Sequence, residues 1–144
     1  MTETEDFLEA VLPQQVEAGT AIHNGDVAPW ADMWSQMDPV TLFGAWVSKT
    51  GQDEVAPFNE WLATQFKDCS SYEIELVAAG ASGDLAYTVA YEKTTASVRG
   101  GPAQPYTLRV THVYRRDESG NLDWPQGGGL IWPHLAGRHA VVAA

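Results

Sequence analysis

The hydrophobic pattern of the chain changes its period near residue 72, and this change restricts the fold more than any other feature. In the first half, apolar side chains recur at helical steps, as in Val55, Phe58 and Leu62. From Tyr72 onward they alternate with polar residues, as on one face of a β-strand. Helices followed by long antiparallel strands predict an α+β domain, with the helices packed on one face of a curved sheet.

Capping and turn residues divide this pattern into elements. The predicted helices cover 2–24, 26–37 and 55–66, and the predicted strands cover 40–47, 72–79, 85–98 and 106–116. No internal repeat or linker divides the chain, so residues 1–144 are expected to form a single domain.

The composition limits the partners and the compartment. Nineteen acidic residues against eight Lys and Arg give a formal net charge of −11, which disfavours nucleic acid and anionic membrane surfaces as partners. The acidic N-terminus lacks the pattern of a signal peptide, and no stretch is apolar for long enough to span a bilayer. A single cysteine, Cys69, fits a reducing compartment. We therefore expect a cytoplasmic protein.

The two long strands around the turn RGGPAQP hold three of the candidate site residues. With the turn centred near Gly101-Pro102, residues whose numbers sum to about 203 oppose one another, so that Glu92 faces Thr111. In this register one face is aromatic and includes His112. The other face has small side chains together with Glu92, Arg109 and Thr111, and is expected to line a cavity under the helices.

Arg109 has two interpretations that the sequence leaves open. Its guanidinium suits a carboxylate, enolate or carbonyl oxygen of a ligand, or it pairs with Glu92 inside the sheet and binds no ligand. The neighbouring Arg115 and Arg116 adjoin an acidic turn and are interpreted as the solvated end of the strand. His112 stands between aromatic residues and is interpreted as a packed or interfacial histidine.

Three segments, in this order, resemble the SnoaL-like branch of the nuclear transport factor 2-like superfamily, which also includes ketosteroid isomerases and scytalone dehydratases. They are HNGDVAPWADMWSQMDPVTLFGAW (23–46), GDLAYTVAYEK (83–93) and YTLRVTHVYRRDESGNLDW (106–124). The resemblance covers residues 5–124. It implies a cone-shaped α+β barrel, a pocket for a small hydrophobic molecule between the helices and the concave sheet face, and a homodimer formed through the outer face. No cofactor is expected.

The function remains open between three alternatives. The first is an isomerase, cyclase, dehydratase or hydrolase acting on a hydrophobic carbonyl or polyketide-like compound. The second is a domain that binds a small ligand without catalysis, and the third is a dimeric interaction module. The steroid-isomerase mechanism itself is not expected, because TLFGAW (41–46) has Gly44 or Ala45 where those enzymes carry the general-base aspartate.

In the enzymatic alternative, Arg109 stabilises an oxyanion. The candidate groups for proton transfer are Glu92, Asp38 and His139. Asp38 matches an aspartate common in the broader family, or it only forms the turn with Pro39. Thr111 is a candidate ligand contact beside Arg109.

Three tryptophans, Trp30, Trp34 and Trp46, are candidates for the wall of a pocket for a flat or hydrophobic ligand, with the core as the alternative. The segment 124–144 departs from the family pattern, because two prolines and three glycines interrupt any continuous strand. It forms either a loop over the pocket or an irregular strand. His134 and His139 have no third Cys or His ligand nearby, so no metal site is predicted.

Overall fold

The computed structural model describes residues 2–35, 38–44 and 47–115, together with the backbone of 130–135. Its helices are α1 (Glu3–Ile22), α2 (Ala28–Met33) and α3 (Gln52–Ala63). Its strands are β1 (Thr41–Phe43), β2 (Ser48–Thr50), β3 (Phe66–Ser82), β4 (Leu85–Val98), β5 (Gln104–Arg115) and β6 (Leu130–Leu135). The predicted α+β class, with three helices packed against a curved sheet, is confirmed.

The six strands form one sheet in the order β2-β1-β6-β5-β4-β3. Neighbouring strands are antiparallel, except that β1 and β6 run parallel. The pairing of β3 with β4 is interrupted twice, between Lys67 and Ser71 and between Leu76 and Ala78. Such bulges increase the bend and twist of a strand, so the sheet curves around the helices.

The N-terminal part of helix α1 is held by a capping box and by an aromatic contact with the sheet. At its start, Glu5 N donates to Thr2 Oγ1 (3.1 Å) and Thr2 N donates to the Glu5 carboxylate (3.0 Å), which is a complete capping box. Farther along, the Phe7 ring packs edge-on against Tyr114 of β5, with ring centroids 5.2 Å apart. These contacts fix the helix over the concave face of the sheet.

The second half of α1 approaches β3 closely at Gly19. A Cβ built on Gly19 would lie 2.1 Å from the Tyr72 ring, a separation that real Cβ atoms do not show. Glycine is therefore required here, because only its hydrogen leaves room for the ring between the helix backbone and the sheet.

The segments 40–47 and 124–144 differ from the sequence-based expectation. The predicted strand 40–47 is shortened to β1, and β2 begins just after that run and pairs antiparallel with β1, with Thr41 opposite Thr50. Gly44 N donates to Val47 O (2.8 Å) between them. In the segment 124–144, predicted to lack a continuous strand, β6 forms and includes Pro133. A proline removes one N–H donor from a ladder, and the residues on either side of Pro133 still pair with β5.

The predicted register of the hairpin β4–β5 is wrong by three residues. Glu92 stands opposite Leu108, and Thr88 stands opposite His112. An odd shift moves every β5 side chain to the other face relative to β4. As a result, His112 shares the concave face with Glu92, whereas Arg109 and Thr111 lie on the outer face.

The reason for the shift is the geometry of the turn. The chain reverses over Val98–Gly101, where Gly101 N donates to Val98 O (3.0 Å). Arg99 and Gly100, the two central residues, have φ values of 54° and 79°. Two consecutive residues with positive φ make the tight turn that matches the twist of a hairpin, so the turn is centred earlier than Gly101-Pro102.

Candidate functional site

A cavity of about 240 Å³ lies between the helices and the concave face of the sheet. Its wall is mostly apolar and aromatic, and includes Trp30, Trp34, Phe58, Trp61, Leu108 and Val110. The polar side chains among the described lining residues are His23, Gln65, Glu92, Arg99, Tyr106 and His112. An apolar cavity with a few polar groups is the usual form of a small-molecule site.

Two of the predicted tryptophans, Trp30 and Trp34, come from α2 and line this cavity. Their rings are 6.4 Å apart, and Trp30 Nε1 donates to Asn59 Oδ1 of α3 (3.2 Å), which fixes the Trp30 ring. Trp46 lies outside the described residues. Trp61 of α3 also lines the cavity, and its spacing of three from Phe58 could have indicated it.

Glu92 is the one acid among the described lining residues. It lies in the middle of β4 between Ile74 of β3 and Leu108 of β5, and only 3% of its surface is exposed. Burial among apolar neighbours raises the pKa of Glu92 to about 7, and interaction with the Tyr72 phenol offsets part of this rise. The carboxyl therefore changes charge near neutral pH.

Two buried hydroxyls stand next to Glu92 in the sheet register. Tyr72 of β3 pairs with Thr94 of β4, one step from Glu92 on the same face. Neither Tyr72 Oη nor Thr94 Oγ1 has a partner with hydrogen-bond geometry among the described residues. Burial, together with the Glu92 charge, raises the pKa of Tyr72 well above its usual value, so its phenol stays protonated as a donor.

His112 lines the cavity from β5 and is buried. Its Nδ1 lies 3.5 Å from Tyr114 Oη, which donates to Gln15 Oε1 of α1 (3.1 Å). Burial lowers the pKa of His112 to about 4, so the imidazole is neutral at pH 7. His112 is a packed histidine, one of the two predicted alternatives, but the corrected register places it on the concave face instead of the outer one.

A second histidine, His23, lies at the end of α1 and also lines the cavity. Its Nδ1–H donates to Gly19 O (2.6 Å), which leaves Nε2 to accept from Tyr106 Oη (2.5 Å). Burial lowers the pKa of His23 and raises that of Tyr106. No sequence pattern indicated this pair, since the two residues are 83 positions apart along the chain and no motif joins them.

The structure does not bring the other candidate residues into the cavity. Arg109 is exposed on the outer face, opposite Tyr91, and Thr111 is half-buried on the same face, opposite Val89. An outer-face guanidinium cannot stabilise an oxyanion in this cavity, so the predicted placement of Arg109 is wrong. His139 lies outside the described residues.

Asp38 is exposed and is absent from the described lining of the cavity. Its Oδ1 accepts from the backbone N–H of Gln52 (2.8 Å), the first residue of α3. A carboxylate at a helix N-terminus pairs with a free backbone donor and with the positive end of the helix dipole. The structure therefore shows Asp38 in a capping contact rather than at the cavity.

Within the described ranges, no three His, Cys, Asp or Glu side chains are grouped as metal ligands would be. None of the described helices is long and apolar enough to cross a membrane.

A bent sheet covered by helices, with an apolar cavity between the two, defines a cone-shaped pocket domain of the nuclear transport factor 2-like type. The sequence model of the SnoaL-like domain matches residues 16–124, which is more than half of the chain. The chain belongs to this family. No curated protein matches its sequence.

Solved structures show the same fold. A nuclear transport factor 2-like superfamily protein from Salmonella enterica is 14% identical, with a TM-score of 0.66 over 94% of this chain and 93% of that one. A candidate dehydratase of the NTF2-like family from Streptomyces avermitilis is 20% identical, with a TM-score of 0.64 over 90% and 96% of the two chains. AclR, a candidate hydroxylase from Streptomyces galilaeus, is 14% identical with a TM-score of 0.56, over 91% of this chain and 90% of that one.

Proposed function

We propose that the chain is a cofactor-independent enzyme that moves protons on a small hydrophobic carbonyl compound, as an isomerase, cyclase or dehydratase does. One observation carries the proposal: Glu92 is a buried carboxyl in the wall of an apolar cavity, with its pKa raised to about 7. A general acid–base group works best when its pKa is near the working pH.

The proposed chemistry uses both forms of Glu92. The carboxylate takes a proton from a carbon next to the carbonyl group, which gives an enolate and a carboxylic acid. The acid then returns the proton to another carbon of the same molecule, or to a hydroxyl that leaves as water. The apolar wall of Trp30, Trp34 and Phe58 supports this transfer because it excludes water, which would otherwise take up the proton.

His112 and Tyr72 have supporting roles in this proposal. Tyr72 is two residue pairs from Glu92 along the β3–β4 ladder and can donate its phenol proton to the carboxylate, which favours the charged form. The neutral imidazole of His112 lies four residues beyond Leu108 on β5, about 13 Å along an extended strand. It is therefore suited to hydrogen-bond the far end of a ligand rather than to exchange a proton with Glu92.

A second candidate function is a small-molecule binding domain without catalysis. It is favoured by the scarcity of catalytic groups, because Arg109 and Asp38 lie away from the cavity and Glu92 is the single acid in its described lining. The sheet and the cavity would be the same in both cases.

The test is the opening of 5-nitrobenzisoxazole, a small apolar ring that any well-placed base converts to a cyanophenolate by removing one C–H proton. We expect the wild type to accelerate this reaction with an apparent pKa of about 7, set by Glu92. Glu92→Gln should lower kcat/KM by at least about tenfold, the smaller end of a general-base contribution. Glu73→Gln removes an exposed carboxyl elsewhere on the sheet and should leave the rate unchanged.

Two results would count against the proposal. If Glu92→Gln keeps the wild-type rate, Glu92 is not the base. If the protein binds an apolar fluorophore such as N-phenyl-1-naphthylamine but accelerates nothing, the binding domain is the better description.

A further inference from the structure

Three side chains line the cavity and are also exposed, which places them at its opening. Phe43 is 45% exposed and Trp61 is 48% exposed, although both are large and hydrophobic. The third is Arg99, which follows β4. The opening therefore combines aromatic surface with a guanidinium.

The backbone holds Arg99 at this position. Its φ of 54° belongs to the tight turn that joins β4 to β5. Its N–H donates to Gln65 O (2.8 Å), just beyond the end of α3, and Gln65 also lines the cavity. The backbone of Arg99 is thus connected to the sheet through β4 and to the segment after α3 through the hydrogen bond to Gln65.

The charges of the described lining residues are arranged by depth. Arg99 is the single Lys or Arg among them, and it is at the opening, whereas the single acid, Glu92, is buried inside. The two are seven residues apart along the chain, about 23 Å if that segment were fully extended and the sheet were not bent. On a chain of net charge −11, a fixed cation marks a point where an anion is attracted.

We propose that the cavity takes an amphipathic anion, with a flat apolar body inside and a carboxylate or similar group held by Arg99 at the opening. This inference rests on the proposed small-molecule function and names the class of its ligand. The buried Glu92 carboxyl repels a second anionic group, so the ligand enters with its apolar end first. Trp30, Phe58 and Trp61 provide the aromatic surface for the flat body.

The experiment compares two competitors that differ only in charge. N-phenyl-1-naphthylamine, a neutral fluorophore, reports occupancy, and 1-naphthylacetate or 1-naphthylacetamide displaces it. For the wild type we expect the carboxylate to displace the fluorophore at a concentration about two- to fivefold lower than the carboxamide, the size of a partly exposed ion pair. The preference should weaken as salt is added.

The variants separate recognition from folding. Arg99→Gln should abolish the preference for the carboxylate, and Arg99→Lys should keep part of it. Arg109→Gln removes an equal charge from the outer face and should leave the preference unchanged. The readout is a ratio of two affinities, so a loss of stability in Arg99→Gln does not imitate the expected result.

Each other outcome overturns a specific statement. If the carboxylate has no advantage in the wild type, or if Arg99→Gln keeps that advantage, the role of Arg99 is wrong while the cavity remains a binding site. If Arg109→Gln reduces the preference for the carboxylate as much as Arg99→Gln does, the overall charge of the protein attracts the carboxylate, and Arg99 has no special role. If the fluorophore does not bind at all, the proposed small-molecule function fails and the ligand class fails with it.

Discussion

Glu92 and His112 lie on the same concave face of two neighbouring strands, and burial reverses the usual order of their pKa values. The carboxyl of Glu92 has a higher pKa than the imidazole of His112. The pKa of Glu92 rises to about 7, whereas that of His112 falls to about 4. Near pH 6 both side chains are therefore mostly neutral in the folded chain, although the same residues in water would both be largely charged. The cavity wall is consequently least charged in mildly acidic solution.

The pH dependence of stability should reveal Glu92. A carboxyl with a raised pKa binds its proton more tightly in the folded state than in the unfolded state. Its contribution to the free energy of unfolding is therefore complete below about pH 4.5 and is lost as the pH rises through 7. Relative to the wild type, Glu92→Gln should gain up to about 3 kcal/mol in the free energy of unfolding across this window. Urea unfolding followed by tryptophan fluorescence at several pH values measures this gain. A constant difference between the two proteins would contradict it.

His112 should have the opposite effect. A histidine with a lowered pKa binds fewer protons in the folded state, so its contribution is complete above pH 6.5 and is lost as the pH falls through 4. In the wild type this slope opposes that of Glu92 between pH 4.5 and 6.5. His112→Asn removes the contribution of His112, so the free energy of unfolding of this variant should fall as the pH rises, as Glu92 alone dictates. A His112→Asn protein whose stability rises with pH in this window would show that the pKa of His112 is not lowered.

The contact between Gly19 and Tyr72 should not tolerate a side chain. Alanine normally favours a helix over glycine by about 1 kcal/mol. At position 19 its methyl group overlaps the Tyr72 ring, so we expect Gly19→Ala to destabilise the protein by about 1–3 kcal/mol instead. Glu17→Ala, on the exposed side of α1, is the matched control and should change stability little. Thermal unfolding of both variants gives the comparison, and a stabilised Gly19→Ala would mean that α1 is farther from the sheet.

The outer face of the sheet is where we expect a homodimer to form. Leu85 and Tyr87 lie on the face opposite Glu92 and are exposed, and exposed apolar side chains are often found at protein interfaces. Leu85→Glu should shift the protein toward a monomer in sedimentation velocity experiments, since it places a charge in the interface. Val16→Glu, at an exposed apolar position on α1, should not. If Leu85→Glu leaves the sedimentation coefficient unchanged, the interface is elsewhere.

The change of hydrophobic period near residue 72 was sufficient to predict the fold class, and the small residues around Glu92 on β4 indicated that it lines a cavity. The sequence was not sufficient to predict the register of β5 against β4. The register depends on which residues are central in the turn. A positive φ is uncommon for arginine, so the sequence did not indicate that Arg99 is one of these central residues. One odd shift then exchanged Arg109 for His112 in the candidate site. A face assignment in a hairpin is therefore only as good as the placement of its turn.

The position of β6 between β1 and β5 has a consequence for synthesis on the ribosome. Phe43 of β1 pairs with His134 of β6, a partner translated about 90 residues later. Until β6 emerges, β1 and β5 each present an unpaired edge, and open edges recruit other chains. A nascent chain that has not yet reached β6 is therefore prone to aggregate, and a chain truncated ahead of Leu130 should aggregate rather than fold into a smaller domain.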